Sequence, residues 1–255
     1  DRTRASRTRT ASAGQRIGAY SKRDSVLAAL RLWHAAYCCA TTDEGRYRVV
    51  KTIMDLADKY PAICADAINI LRRDRSAFDA PGFEIQVQAG LLYYQQEHQA
   101  VVSLAEEAGR DASVWVAALR AEAQRKLGDH HEAIATCSEL ATRCEAPGAS
   151  RPQHEALVSA LCCRGYCHLE LGRSTPSSLP HAVKDLERAL AFARDRDVPE
   201  PPRAHSGIGY ARQLQGRNDE AEEAFAQARR LDADNIKATA GTVQTASGVD
   251  DDSGS

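Results

Sequence analysis

Residues 204–228 read AHSGIGYARQLQGRNDEAEEAFAQA, two apolar-periodic segments separated by a glycine. Ala204, Ile208 and Ala211 recur at intervals of four and three, which places them on one face of a helix. Ala221, Phe225 and Ala228 do the same on a second helix. Gly216 lies between them, where a residue free to take positive φ can end the first helix. Asn218 or Asp219 can then cap the second helix, with Glu220 in its favourable first turn.

Working outward, the same pattern recurs. Gly128, Glu132, Ala133, Cys137 and Leu140 repeat the spacing of Gly216, Glu220, Ala221, Phe225 and Ala228 without a gap. A third copy runs from Gly165 and Gly172 to Ala182, Leu186, Ala189 and Leu190, its turn lengthened by a Pro/Ser-rich stretch at 174–180. Two weaker copies come first. One is Ala100 and Leu104, preceded by Leu91 and Leu92. The other is Gly45, Tyr47, Val50, Met54, Ala57 and Pro61, preceded by Trp33 and Tyr37. Residues 62–77 fit an additional helix pair or a half-repeat. Small residues at the crossings, such as Gly165, Gly209, Ala133 and Ala221, permit close approach of helix axes, and Phe225 and Leu186 fill the space between units.

This pattern resembles the tetratricopeptide repeat family, whose unit of ~34 residues has a Trp/Leu-Gly/Tyr first helix, then Ala and an aromatic, then Pro. The intervals Ala100–Ala133, Ala133–Ala182 and Ala182–Ala221 are 33, 49 and 39 residues. The excess falls in the Pro/Ser-rich stretches at 147–152, 174–180 and 199–202. The resemblance covers about residues 24–235, most clearly from 114 onward. Two departures stand out: Ala233 replaces the closing Pro of the last copy, and the first two copies lack most signature residues.

The resemblance implies an all-α, right-handed superhelix (an α-solenoid) of about four to five helical hairpins over residues 24–240. It implies that the first helices of the hairpins line a concave groove in which a partner peptide or helix lies. On the matched positions Trp115, Glu122 and Arg125 face that groove from one unit, Tyr166 and Leu169 from the next, and Arg203, Tyr210 and Gln213 from the last. Tyr, Trp and Arg are the residue types that anchor interfaces; packing is the competing role for each. The carboxylate clamp by which some relatives grip chaperone tails is absent, since Cys39, Ala118, Leu119, Cys162 and Ser206 occupy its positions.

The 255 residues carry 33 Lys and Arg against 35 Asp and Glu, a net charge of −2. That balance argues against a whole-domain nucleic-acid footprint. Residues 1–23 are expected to form a basic disordered tail, with seven cations against Asp1, and residues 241–255 an acidic disordered tail. An RNA-associated protein using the basic tail is therefore the alternative to a protein scaffold. The tail's Arg/Ser/Thr composition also leaves an organellar transit remnant open. No apolar run approaches the ~18–20 residues of a membrane span. Eight cysteines in a long helical chain point to a reduced, intracellular protein, cytoplasmic or organellar (mitochondrial or plastid), without a disulfide framework.

No catalytic, metal or cofactor site is expected. Gly207-Ile208-Gly209 lacks the third glycine and the preceding strand of a dinucleotide fingerprint. His130-His131-Glu132 is not a zincin motif. Cys162, Cys163, Cys167 and His168 could share a helix face and bind a soft metal, but no second Cys-x-x-Cys pair exists, and reduced Cys packs as a small hydrophobe. The functional expectation is a non-enzymatic scaffold or adaptor, a subunit of a larger assembly.

Overall fold

The computed structural model describes residues 24–78, 80, 82–109 and 112–231. The expected tails, 1–23 and 241–255, lie outside them. Every regular element among the described residues is helical. In chain order the helices are α1 (24–39), α2 (Asp43–Lys59), α3 (Cys64–Arg73), α4 (Phe83–Tyr94), α5 (His98–Ala108), α6 (Val114–Leu127), α7 (His130–Cys144), α8 (Arg151–Gly172), α9 (Leu179–Asp195), α10 (Pro202–Leu214) and α11 (Asn218–Leu231). Residues 62–77 contribute one α-helix, α3, followed by a 3-10 turn at Arg75–Phe78. The chain divides between Ala108 and Gly109 into two compact units.

In the first unit, α4 packs against α2, α3 and α5. Phe83 of α4 is fully buried, with Tyr37 and His34 of α1 edge-on to its ring at 5.1 and 5.2 Å. The Gln86 amide donates to the Tyr37 hydroxyl at 3.1 Å, so the polar end of a buried Tyr is satisfied.

In the second unit each helix packs on the next from α6 to α11, and α8 also touches α6 and α10. The even-numbered helices therefore lie side by side, with an odd-numbered helix against each. This arrangement is consistent with a helical repeat. Close packing comes from small residues facing large ones. A Cβ added at Gly209 would stand 2.6 Å from the Phe225 ring, and one at Gly165 would stand 2.7 Å from Leu186 Cγ. Both large side chains are fully buried, as the crossing pattern predicts. A Cβ added at Gly207 would also fall 2.8 Å from Leu186 Cδ1, so Leu186 of α9 wedges between α8 and α10.

Four turns share one closure. After α4, α6, α9 and α10 the chain places a residue at positive φ: Gln96 at 63°, Gly128 at 90°, Asp197 at 52° and Gly216 at 74°. The amide that follows reaches back five residues in each case: Glu97 to Leu92, Asp129 to Gln124, Val198 to Ala193 and Arg217 to Arg212, at 2.9–3.0 Å. This is the Schellman closure, which satisfies carbonyls that a helix end leaves open. Gly172, read from sequence alongside Gly128 and Gly216, does something else. It is the last residue of α8 without positive φ, and a Cβ there would sit 2.3 Å from Leu179 Cδ2.

Candidate functional site

The even-numbered face of the second unit gathers four of the expected groove residues into one network. Glu122 of α6 is the centre, its side chain 9 % exposed. Arg125, one turn on, donates from Nε to Glu122 Oε2 at 3.0 Å. Arg203 of α10 donates from Nη1 to Glu122 Oε1, reaching past α8. Its Nη2 donates to the carbonyl and the hydroxyl of Ser159 on α8, each at 3.1 Å. The Tyr166 hydroxyl donates to the Arg203 carbonyl at 2.9 Å, and the Arg125 guanidinium stands 5.6 Å from the centre of the Tyr166 ring. That last geometry suits a cation–π contact.

The electrostatics are set by two cations sharing one anion. Burial pushes the Glu122 carboxyl up, but the charges and hydrogen bonds of Arg203 and Arg125 outweigh it and hold the group below its ordinary value. Burial opposes the charge on both arginines, and Glu122 more than offsets it, so both are raised. Tyr166, buried, is raised as well. Beside the network, burial pushes the Cys162 thiol up, while the nearby Arg203 guanidinium pulls it part of the way back. Cys162 itself has no exposed surface.

The other expected groove residues are Trp115, Leu169, Tyr210 and Gln213. Trp115 on α6 is half-buried. Leu169 on α8 is part of the core, 3 % exposed. Tyr210 is half-buried, its ring edge-on to Phe225 at 5.1 Å, and Gln213 is half-buried one turn beyond it on α10. Ser159 was not among the sequence-based candidates. It lies seven residues before Tyr166, two helical turns on the same face, and that spacing was the available signal.

A second, half-buried ion pair ties the opposite side. Arg164 of α8 holds Asp185 of α9 with two hydrogen bonds, 2.8 and 2.6 Å, and donates to Ser138 of α7 at 3.0 Å. His168 lies 3.9 Å from the same carboxylate and against His181, ring centres 5.5 Å apart. Burial lowers the His168 pKa, and His181, Arg164 and His131 add to that against Asp185. The cysteines of α7 and α8 fill core space: Cys137, Cys144, Cys162, Cys163 and Cys167 are all buried. Among the described residues no group of three His, Cys, Asp or Glu side chains is placed to hold a metal ion.

The first unit carries a different feature, an apolar pocket of about 370 Å³. Val26, Leu30 and Trp33 of α1, Ile53 and Leu56 of α2, and Tyr60 form much of its wall. None of the described helices is long and apolar enough to cross a membrane. Compared with known proteins, the chain matches no family model and no curated sequence.

Proposed function

We propose that this protein is a non-enzymatic scaffold or adaptor, a subunit of a larger assembly, that takes a peptide or helix of a partner protein along the even-numbered helices of its second unit. On this reading the hairpins are tetratricopeptide-like, about four to five in the chain, and wind with right-handed sense. The observation that carries the proposal is the side-by-side row of α6, α8 and α10. It brings Trp115, Arg125, Tyr166, Arg203 and Tyr210 from three successive hairpins onto one row of helices. Aromatic and Arg side chains anchor interfaces because they combine large contact area with directed polar ends. The half-exposed members of this row, Trp115, Tyr210 and Gln213, are the ones that present surface to solvent.

Photo-crosslinking tests this placement. A benzophenone amino acid is introduced at Trp115 or Gln213, and in control proteins at the exposed Lys184 of α9 or Glu222 of α11. Each protein is expressed in its native source and irradiated. Specific adducts from the even-helix positions, missing from the controls, are expected. Adducts equal at all four positions, or none from Trp115 and Gln213, would remove the groove from the proposal.

A further inference from the structure

The side chain of Arg203 is unlike the rest of its network. It is 37 % exposed, whereas Glu122 and Arg125 are 9 % and 13 % exposed. It starts on α10, runs across the turn of α8 that holds Ser159, and ends on Glu122 of α6. Cys162 lies one turn further along α8, fully covered, and feels the guanidinium. We infer that Arg203 is a gate: a charge-held arm that closes the face formed by α6, α8 and α10 and swings to solvent to uncover it. The inference rests on reading that face as the partner groove, where the arm would occupy the space a ligand needs.

The stoichiometry of charge is what makes a gate possible. Stranding a buried carboxylate is strongly unfavourable, and an ion pair with one cation therefore behaves as a lock. Here Glu122 has two. When Arg203 leaves, Arg125 still holds the Oε2 side at 3.0 Å, so the buried anion keeps a partner. The departing cation enters water, toward which its side chain is already 37 % exposed. The two other groups it releases, the Ser159 hydroxyl and carbonyl, are acceptors that solvent can satisfy once the arm is gone. The Tyr166 bond goes to the backbone of Arg203, so the helix stays anchored while the arm moves.

Thiol protection reads the arm directly. In a Cys38→Ser, Cys39→Ser background the two exposed thiols are gone and six buried ones remain. Modification by a small methanethiosulfonate is followed per residue by mass spectrometry. Arg203→Met and Glu122→Gln are each expected to speed modification of Cys162 by about tenfold or more, while Cys137, Cys144 and Cys167 stay protected. Protection of Cys162 unchanged in both variants would overturn the gate. So would all buried thiols emerging together, because the arm would then be a structural pin. The readout needs no partner: failed crosslinking at Trp115 and Gln213 would remove the groove that the arm closes but not the arm's motion, and failure of the thiol readout would leave the groove proposal intact.

Discussion

Leu186 offers a quantitative test of how α8, α9 and α10 fit together. Its side chain is fully buried, and an added Cβ at Gly207 would lie 2.8 Å from its Cδ1 and 3.4 Å from Cδ2. Leu186→Ala alone should destabilise the second unit by about 3–5 kcal/mol, the transfer term plus the cavity it leaves. Gly207→Ala alone should be destabilising by about 0–2 kcal/mol. That is overpacking of about 1–3 kcal/mol, offset by about 1 kcal/mol of helix propensity gained over glycine. In the Leu186→Ala background the clash is gone and the third neighbour, Tyr166 Cε2 at 3.4 Å, is ordinary contact. The same Gly207→Ala change should then stabilise by about 1–2 kcal/mol, from propensity and one buried methyl. The coupling between the two sites is therefore about 1–4 kcal/mol. Urea unfolding followed by Trp115 fluorescence, in a Trp33→Phe background so that only the second unit reports, measures all four corners of the cycle. Additivity within about 0.5 kcal/mol would show that Leu186 does not wedge against Gly207. Gly165→Ala should recover less, because the backbone carbonyl of Ala182 stands 3.3 Å from its added Cβ whatever occupies position 186.

Three further outcomes follow from the same packing. Asp185→Ala should cost about 1–3 kcal/mol in urea unfolding, because it leaves the half-buried Arg164 guanidinium with only its bond to Ser138, whereas Asp185→Leu with Arg164→Leu should cost less. Burial lowers the pKa of His168, so the folded state binds its proton less readily than the unfolded chain. Stability from this group is complete above about pH 6.5 and declines as the pH falls below it toward the folded value. His168→Gln should flatten that part of the urea-midpoint profile between pH 7.5 and 5.5, and an unchanged slope would reject the assignment. Gln96→Gly should raise the first unit's stability by about 0.5–1 kcal/mol, since Gln96 holds φ 63° at a closure that Gly216 makes without a Cβ; a lower melting temperature would contradict this.

The helices of the second unit were legible because their apolar spacing and their glycines are local. Gly209 and Phe225 sit in neighbouring helices of one hairpin, and a small residue facing a large one can be read from the pattern. The closures at Gln96 and Asp197 were not legible, because Gln does not announce positive φ and Asp does so only weakly; tertiary context imposes it. Gly172 misled for the converse reason: a glycine at a helix end can be there for packing rather than for φ. In the candidate site the Glu122–Arg125 spacing is visible as an i, i+3 pair. The bond from Arg203 to Glu122 spans 81 residues, and nothing in either neighbourhood encodes it. From the sequence both are expected to face the groove from different units; in the structure they hold each other.

The four Schellman closures also order events in time. Each ties a ring of six residues, so loop-closure entropy is small and the turn can form while the rest of the chain is still open. Hairpins in the second unit can therefore assemble one after another as the chain is synthesised. The arm from α10 to α6 must wait for both helices to be docked on α8, which makes it a marker of completed folding rather than a nucleus. Truncating the chain before Pro202 should then leave α6–α9 folding at an unaltered rate.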